Sequence, residues 1–289
     1  MPKTAGNKKS SASQQKLPAW LTSHFKQCLD SQESLFRLVH LSEKGISVLR
    51  GMPKGFKVLA DVHGKSQDPD SMKRIEAAEK EAELAETEVT TDFPVLHGLA
   101  VVAVWSWLEH FVKDLVALWL NHHRNALDVP ALQRTRVKLG DYLRLTKPEQ
   151  AAYLVEVLEQ ELASSLKRGV TRFESLLEPF SLNGPLPEGC AKTIFELQQV
   201  RNVIAHRNGI IDRRLTKECP WLKLRVNRPL RVSHRMLERY VTASAEYLLA
   251  VLYRVGDTYK VDLRGSEAAA PNPPLKPADT GMPVVRGLA

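Results

Sequence analysis

The chain has few of the residues that announce a cofactor or a covalent framework. Its 289 residues include only three cysteines, Cys28, Cys190 and Cys219. None stands in C-x-x-C spacing, which argues against a disulfide scaffold or a zinc knuckle and suits reduced, buried thiols in a cytoplasmic protein. No glycine-rich phosphate loop is present, and neither His122-His123 nor the scattered acids make a metal set, so no metal and no cofactor are expected. The first sixteen residues are rich in Lys, Ser and Gln with almost no bulky apolar side chain, so no secretory signal is expected there. The longest apolar stretch, residues 93–121, is interrupted by Glu109, Lys113 and Asp114. Its unbroken part reads as too short to cross a bilayer, and no membrane partner is expected.

Helical periodicity dominates what is present, and the chain reads as an all-α bundle. Residues 1–16 are expected as a disordered tail. Residues 17–69 form an N-terminal extension: Trp20, Leu21, Phe25, Leu29, Leu35, Leu38, Val39 and Leu41 recur in a helical rhythm with a break near Asp30-Ser31. Gly51, Pro53, Gly55 and Gly64 then predict a loop or short extended excursion over 45–69. The main domain spans 70–260. It opens on an acidic, strongly helix-forming run at 70–90, which is either a solvated helix or a cover for a basic surface. Residues 93–121, apolar nearly all round, predict the central helix. Further helices are expected at 148–166, with Tyr153, Leu154, Val157, Leu158 and Leu162 inward, and at 171–177, 188–206 and 233–256, the last capped by Ser233. A small β-hairpin at 221–232 is possible before that helix, although Pro229 limits pairing. Residues 261–289 are Ala/Pro-rich and expected as a second tail.

Charge is distributed unevenly along the chain. Between residues 201 and 239 there are eleven Lys or Arg and three acids, a local excess of eight; the remainder, with 30 basic and 30 acidic residues, is neutral. The whole excess of +8 therefore adjoins one segment, as expected for a surface that meets a polyanion. Trp221 lies within it and either stacks on a base or anchors a loop.

That segment begins with residues 201–212, Arg-Asn-Val-Ile-Ala-His-Arg-Asn-Gly-Ile-Ile-Asp. Arg201 and His206 fit a metal-independent cleavage of RNA. Imidazole, with an ordinary pKa of about 6.5, can take the proton of a ribose 2′-hydroxyl near neutral pH. Guanidinium offers a charged fork of donors to the phosphoryl oxygens as negative charge builds on them. Asn202 adds a neutral group able to orient phosphate or imidazole. At about 100° per residue, Ile194, Leu197, Val200, Val203 and Ile204 share an apolar face and Gln199, Asn202 and His206 a polar one. Arg201 falls at the apolar margin, roughly 140° from His206. Hence the helix must end or distort near His206, with Gly209 as its left-handed cap, or two copies of the chain must build the site together. The plainer alternative is a helix-terminal His answering the helix dipole and an Arg in a structural ion pair.

Residues 201–212 resemble the Arg-x4-6-His signature of HEPN domains, compact helical ribonucleases of bacterial toxin, defence and RNA-processing systems. Residues 93–115 resemble their first long helix. The RiboL-PSP-HEPN-like group is the most similar, over roughly residues 70–260. The resemblance implies an up-and-down bundle and a homodimer with paired motifs in one cleft. It also implies catalytic Arg201 and His206 with Asn202 supporting, and an antitoxin or nucleotidyltransferase as a possible partner. Glu109 is expected either to orient Arg201 or to pair with Lys113 at i+4. Arg207, Arg213 and Arg214 are expected to hold RNA phosphate. The function so implied is endoribonucleolytic cleavage of RNA by 2′-hydroxyl transphosphorylation. A non-catalytic module that binds RNA, a nucleotide or a partner protein is the alternative.

Overall fold

The computed structural model describes residues 16–163 and 168–264; the tails expected over 1–16 and 261–289 fall almost wholly outside them. The described residues form an all-α bundle. Its first half contains α1 (Ala19–Leu49), α2 (Met52–Val62), α3 (Pro69–Thr90) and α4 (Pro94–His122), followed by the one-turn helices α5 (Pro130–Gln133) and α6 (Leu139–Tyr142). The second half contains α7 (Lys147–Ala163), α8 (Val170–Leu177), α9 (Cys190–Arg207), α10 (Arg213–Glu218) and α11 (His234–Thr258).

Local chemistry sets the helix starts. Asp68 accepts a hydrogen bond from the Ser71 backbone N–H at 2.9 Å, and Pro69 stands at the first position of α3, where its missing N–H costs nothing. Asp92 and Phe93 turn the chain sharply with φ of 65° and 50° before Pro94 opens α4. Ser233 caps α11, as its sequence predicts, by accepting from Met236 N–H at 3.3 Å.

The core is organised around α4. Val101, Leu108, Val112, Leu115 and Val116 are fully buried, and α1, α7, α8, α9 and α11 all pack on this helix. Burying each such side chain stabilises the fold by about 1.5–3 kcal/mol. Trp105 of α4 lies 5.2 Å, ring to ring, from Phe173 of α8, which lies 6.0 Å from Tyr247 of α11. By length and composition α4 is apolar enough to cross a membrane, contrary to the reading of its sequence, and half of its most apolar window is buried within the bundle.

The N-terminal region is more ordered than its sequence suggests. No break occurs at Asp30-Ser31, because the Ser31 hydroxyl is absorbed by the Gln27 carbonyl at 2.8 Å and Gln32 is buried, donating to Val241 O of α11 at 3.1 Å. Leu21 and Phe25 join the main core. The loop expected over 45–69 is confined mainly to residues 63–68 around left-handed Gly64, and the rest is the end of α1 followed by α2. Pro53 falls in the first turn of α2, where a helix tolerates it. The cost of Gly55, about 1 kcal/mol, is offset by packing on α3 around buried Ala60, Ala78 and Ala85. The acidic helix α3 does not cover the basic segment: its ion pairs run to Arg50 at the end of α1 and to Lys57 of α2, the latter at 2.7 Å.

The hairpin at 221–232 does not form, and the described residues contain no strand. Residues 220–222 make a single 3-10 turn, and Lys223 and Asn227 take left-handed conformations that break any extended run. Residues 227–230 pair instead with the chain just after α9: Ile211 N–H donates to Arg228 O at 2.9 Å, Asn227 N–H to Ile211 O at 2.9 Å, and Leu230 N–H to Gly209 O at 2.7 Å. Pro229, which has no N–H to donate, sits opposite Ile210 in this one bridge. The pairing pins the end of α9.

Candidate functional site

Helix α9 buries Ile194, Leu197 and Val200 completely and Val203 almost so, which fixes its rotation and directs its last turns toward the surface. It remains helical through Arg207. Asn208 is the left-handed cap, with φ of 50°, and Gly209 follows at 71°. Both N–H groups turn back to Val203 O, and the second of these bonds is 3.2 Å long. The cap therefore falls one residue earlier than Gly209, on the residue type other than glycine that best tolerates this conformation.

Arg201 and His206 meet within one chain. Arg201 Nη1 lies 3.1 Å from His206 Nε2 and 3.3 Å from Asn202 Oδ1. The helix ends just beyond His206, at Arg207, as expected, and within one chain the length of the arginine side chain bridges the angular separation of the two positions. A guanidinium can only donate, so Nε2 of His206 accepts and the ring proton resides on Nδ1. This is the neutral tautomer, with the lone pair of a base on Nε2. Arg201 is half-buried, while His206 is exposed. The Nε of Arg201 is buried and makes no hydrogen bond.

The basic segment surrounds this helix end. Arg207, Ile210, Ile211, Asp212, Arg213, Arg214, Val226 and Asn227 line an open groove of about 810 Å³. Neither Arg201 nor His206 forms its wall; the groove begins one residue beyond the pair. Arg213 and Arg214 are exposed. The nearby acids are occupied elsewhere: Asp212 caps α10 through Leu215 N–H at 2.8 Å and only loosely faces Arg207 at 3.8 Å, and Glu218 pairs with Arg168. Arg225, Arg228 and Arg231 are exposed as well, so local acids offset little of the positive field.

Two expected residues are engaged in other work. Glu109 meets neither Arg201 nor Lys113: it accepts from Arg172 of α8 at 2.8 Å, while Lys113 pairs with Glu159 of α7 at 2.7 Å. Arg172 joins both carboxylates, so this cluster fastens α4, α7 and α8. Burial pushes the Glu159 carboxyl up, but hydrogen bonds from Lys113 and Arg172 outweigh it and hold the group below its ordinary value. Trp221 acts as a loop anchor. Its Nε1 donates to buried Glu196 at 2.5 Å, and Lys192 Nζ covers its ring 4.4 Å from the centroid. Glu196 also accepts from Arg239 and from the Tyr240 hydroxyl, the latter at 2.7 Å.

The three cysteines are free, and burial pushes each thiol up to about 12, away from nucleophilic use. One grouping escaped the reading of the sequence. Glu43, His97 and His234 each turn a ligand-type atom into a space where these atoms lie within 4.8 Å of one another. They come from α1, α4 and α11, and no short spacing announces them.

No protein-family model, curated protein or solved structure matches this chain significantly.

Proposed function

We propose that the chain is a metal-independent endoribonuclease of the HEPN type, acting in the cytoplasm in a toxin or defence setting. The observation that carries this reading is the 3.1 Å approach of Arg201 Nη1 to His206 Nε2 at an accessible helix end, inside the segment that holds all of the chain's excess positive charge. His206 Nε2 takes the proton of a ribose 2′-hydroxyl, and the 2′-oxygen bonds to phosphorus. The P–O5′ bond breaks with its electron pair on the 5′-oxygen, which takes up a proton. Arg201 moves from the imidazole to the phosphoryl oxygens, where charge accumulates. Arg207, Arg213 and Arg214 hold flanking phosphates. The products are a cyclic phosphate and a 5′-hydroxyl. One imidazole faces only one side of an in-line displacement, so a homodimer supplies a second His206 ring, protonated in this role, whose N–H gives the leaving 5′-oxygen its proton. An antitoxin or nucleotidyltransferase partner would restrain the activity by covering the same basic face.

A second reading is favoured by a specific contact: the bond from Arg201 occupies the lone pair that the base needs. A non-catalytic module that docks RNA, a nucleotide or a partner protein through the groove uses the pair in that closed state. RNA and its 2′-deoxy counterpart, incubated in chelator with wild type, Arg201→Ala and His206→Ala, separate the two. The nuclease reading expects RNA-only cleavage lost in both variants. Salt-sensitive RNA binding without cleavage supports the module, and cleavage that persists in both variants overturns the assignment of the site.

A further inference from the structure

The Glu43, His97 and His234 grouping has a hydrogen-bond pattern that protons alone satisfy poorly. His97 is completely buried, and its Nδ1 lies 3.0 Å from the Val232 carbonyl oxygen. A carbonyl only accepts, so Nδ1 carries a proton. In the neutral ring Nε2 is then a bare lone pair, and it points at Glu43 Oε1 from 2.7 Å. His234 Nδ1 approaches the same oxygen at 3.1 Å. One carboxylate oxygen thus faces two imidazole nitrogens, at least one of which has no proton to offer unless a fully buried ring becomes a cation.

From this we infer that Glu43, His97 and His234 form a binding site for a divalent transition-metal ion, for which Zn2+ is a suitable probe because two imidazoles and one carboxylate are among its donor sets. Such an ion replaces the opposed acceptors with three favourable contacts. Ligand atoms about 2.1 Å from a tetrahedral zinc stand roughly 3.4 Å apart, so the observed 2.7 and 3.1 Å need open by less than about 1 Å. The bond from His97 Nδ1 to a backbone carbonyl is the kind that fixes the tautomer and aim of a metal-bound histidine. The side chain of His234 is 45% exposed, leaving the fourth position open to water. His40, one turn before Glu43, lies 3.5 Å from the other carboxylate oxygen, Oε2.

A bound ion bridges three helices at this place. It ties α1, α4 and the start of α11 together, and through His97 and Val232 it holds the strand-like segment that pairs with residues 209–211 after α9. The chemistry at Arg201 and His206 does not pass through it.

The test uses the full chain, stripped with chelator and titrated with Zn2+ alone, reading bound metal per chain and the thermal midpoint. The expected result is one Zn2+ per chain with a rise in Tm. His234→Ala, at a partly exposed position, and Glu43→Gln, nearly isosteric, each weaken binding by at least about tenfold. Arg201→Ala and a His122→Ala control keep the full stoichiometry. Co2+ in place of Zn2+ should give the visible absorption of a four-coordinate site, lost in His234→Ala. Absence of stoichiometric binding by the folded wild type overturns the proposal and leaves the trio as an imidazolium–carboxylate clamp. Binding unchanged in both ligand variants overturns it as well, by placing the ion elsewhere.

Discussion

Replacing Arg201 with Met separates a catalytic arginine from a structural one. Methionine keeps an unbranched stem of similar reach and removes the guanidinium. Two hydrogen bonds are lost, the 3.1 Å bond to His206 and the 3.3 Å bond to Asn202. Each such bond stabilises by about 0.5–1.5 kcal/mol, at the low end here because water can serve the partners. Against this, the buried Nε makes no hydrogen bond, and an unsatisfied donor of that kind costs about 1–3 kcal/mol. The contributions nearly cancel, so the unfolding free energy should move by less than about 1 kcal/mol and Tm by less than about 4 °C. Cleavage should fall far more, by about 10²–10³, the loss typical of removing one donor from a developing oxyanion. Urea unfolding and cleavage of a short fluorescent RNA measure the two quantities on one preparation. His206→Ala, added to Arg201→Met, should slow cleavage little beyond the worse single variant if the residues act as a unit. A variant that loses more than about 2 kcal/mol of stability while cleaving at the wild-type rate would refute the argument.

Three further perturbations probe the frame around the site. Glu196→Gln weakens the charge-assisted bond from Arg239 and disturbs those from Trp221 and Tyr240; a loss of about 2 kcal/mol is expected, with a red shift of tryptophan emission, and an unchanged urea midpoint would count against an anchoring role. Glu159 is held below its ordinary value of 4.5 in the folded chain, so its contribution is present above about that pH and is lost as pH falls through the depressed value. The urea midpoint of Glu159→Gln should accordingly depend less on pH below about 4.5 than that of wild type. Gly169 has φ of 58° and ψ of −138°, and a Cβ there would lie 2.9 Å from Phe195 Cα; Gly169→Ala should destabilise by about 2 kcal/mol or more in urea unfolding.

Most of the helical order was legible because amphipathic periodicity and caps are local. Ser233 marks a helix start by its own chemistry, and the apolar sequence at 93–121 identifies the helix that others must cover. The misreadings arose where distant packing outweighed local preference. Gly51, Pro53 and Gly55 speak for a loop, yet α2 survives because α3 presents small residues against it. The alternating apolar residues at 222–226 and 230–232 suggested a hairpin, but residues 227–230 found their partner at 209–211. Glu109 on α4 could equally have faced Lys113, Arg201 or Arg172, and the positions of α7 and α8 selected Arg172.

By itself, the sequence determined an all-helical chain, the placing of its net charge beside residues 201–239, and the adjacency of Arg201 and His206 on one helix end, because these depend on composition and on spacings of a few residues. Tertiary structure alone decided that a long guanidinium spans the angle between the two positions, that Trp221 is held by Glu196, and that Glu43, His97 and His234 share one small space. The partners in that last cluster are separated by 54 and 137 positions along the chain, and no periodic pattern carries information over such distances. Only the crossing of α1 and α4 with the start of α11 brings them within hydrogen-bonding range.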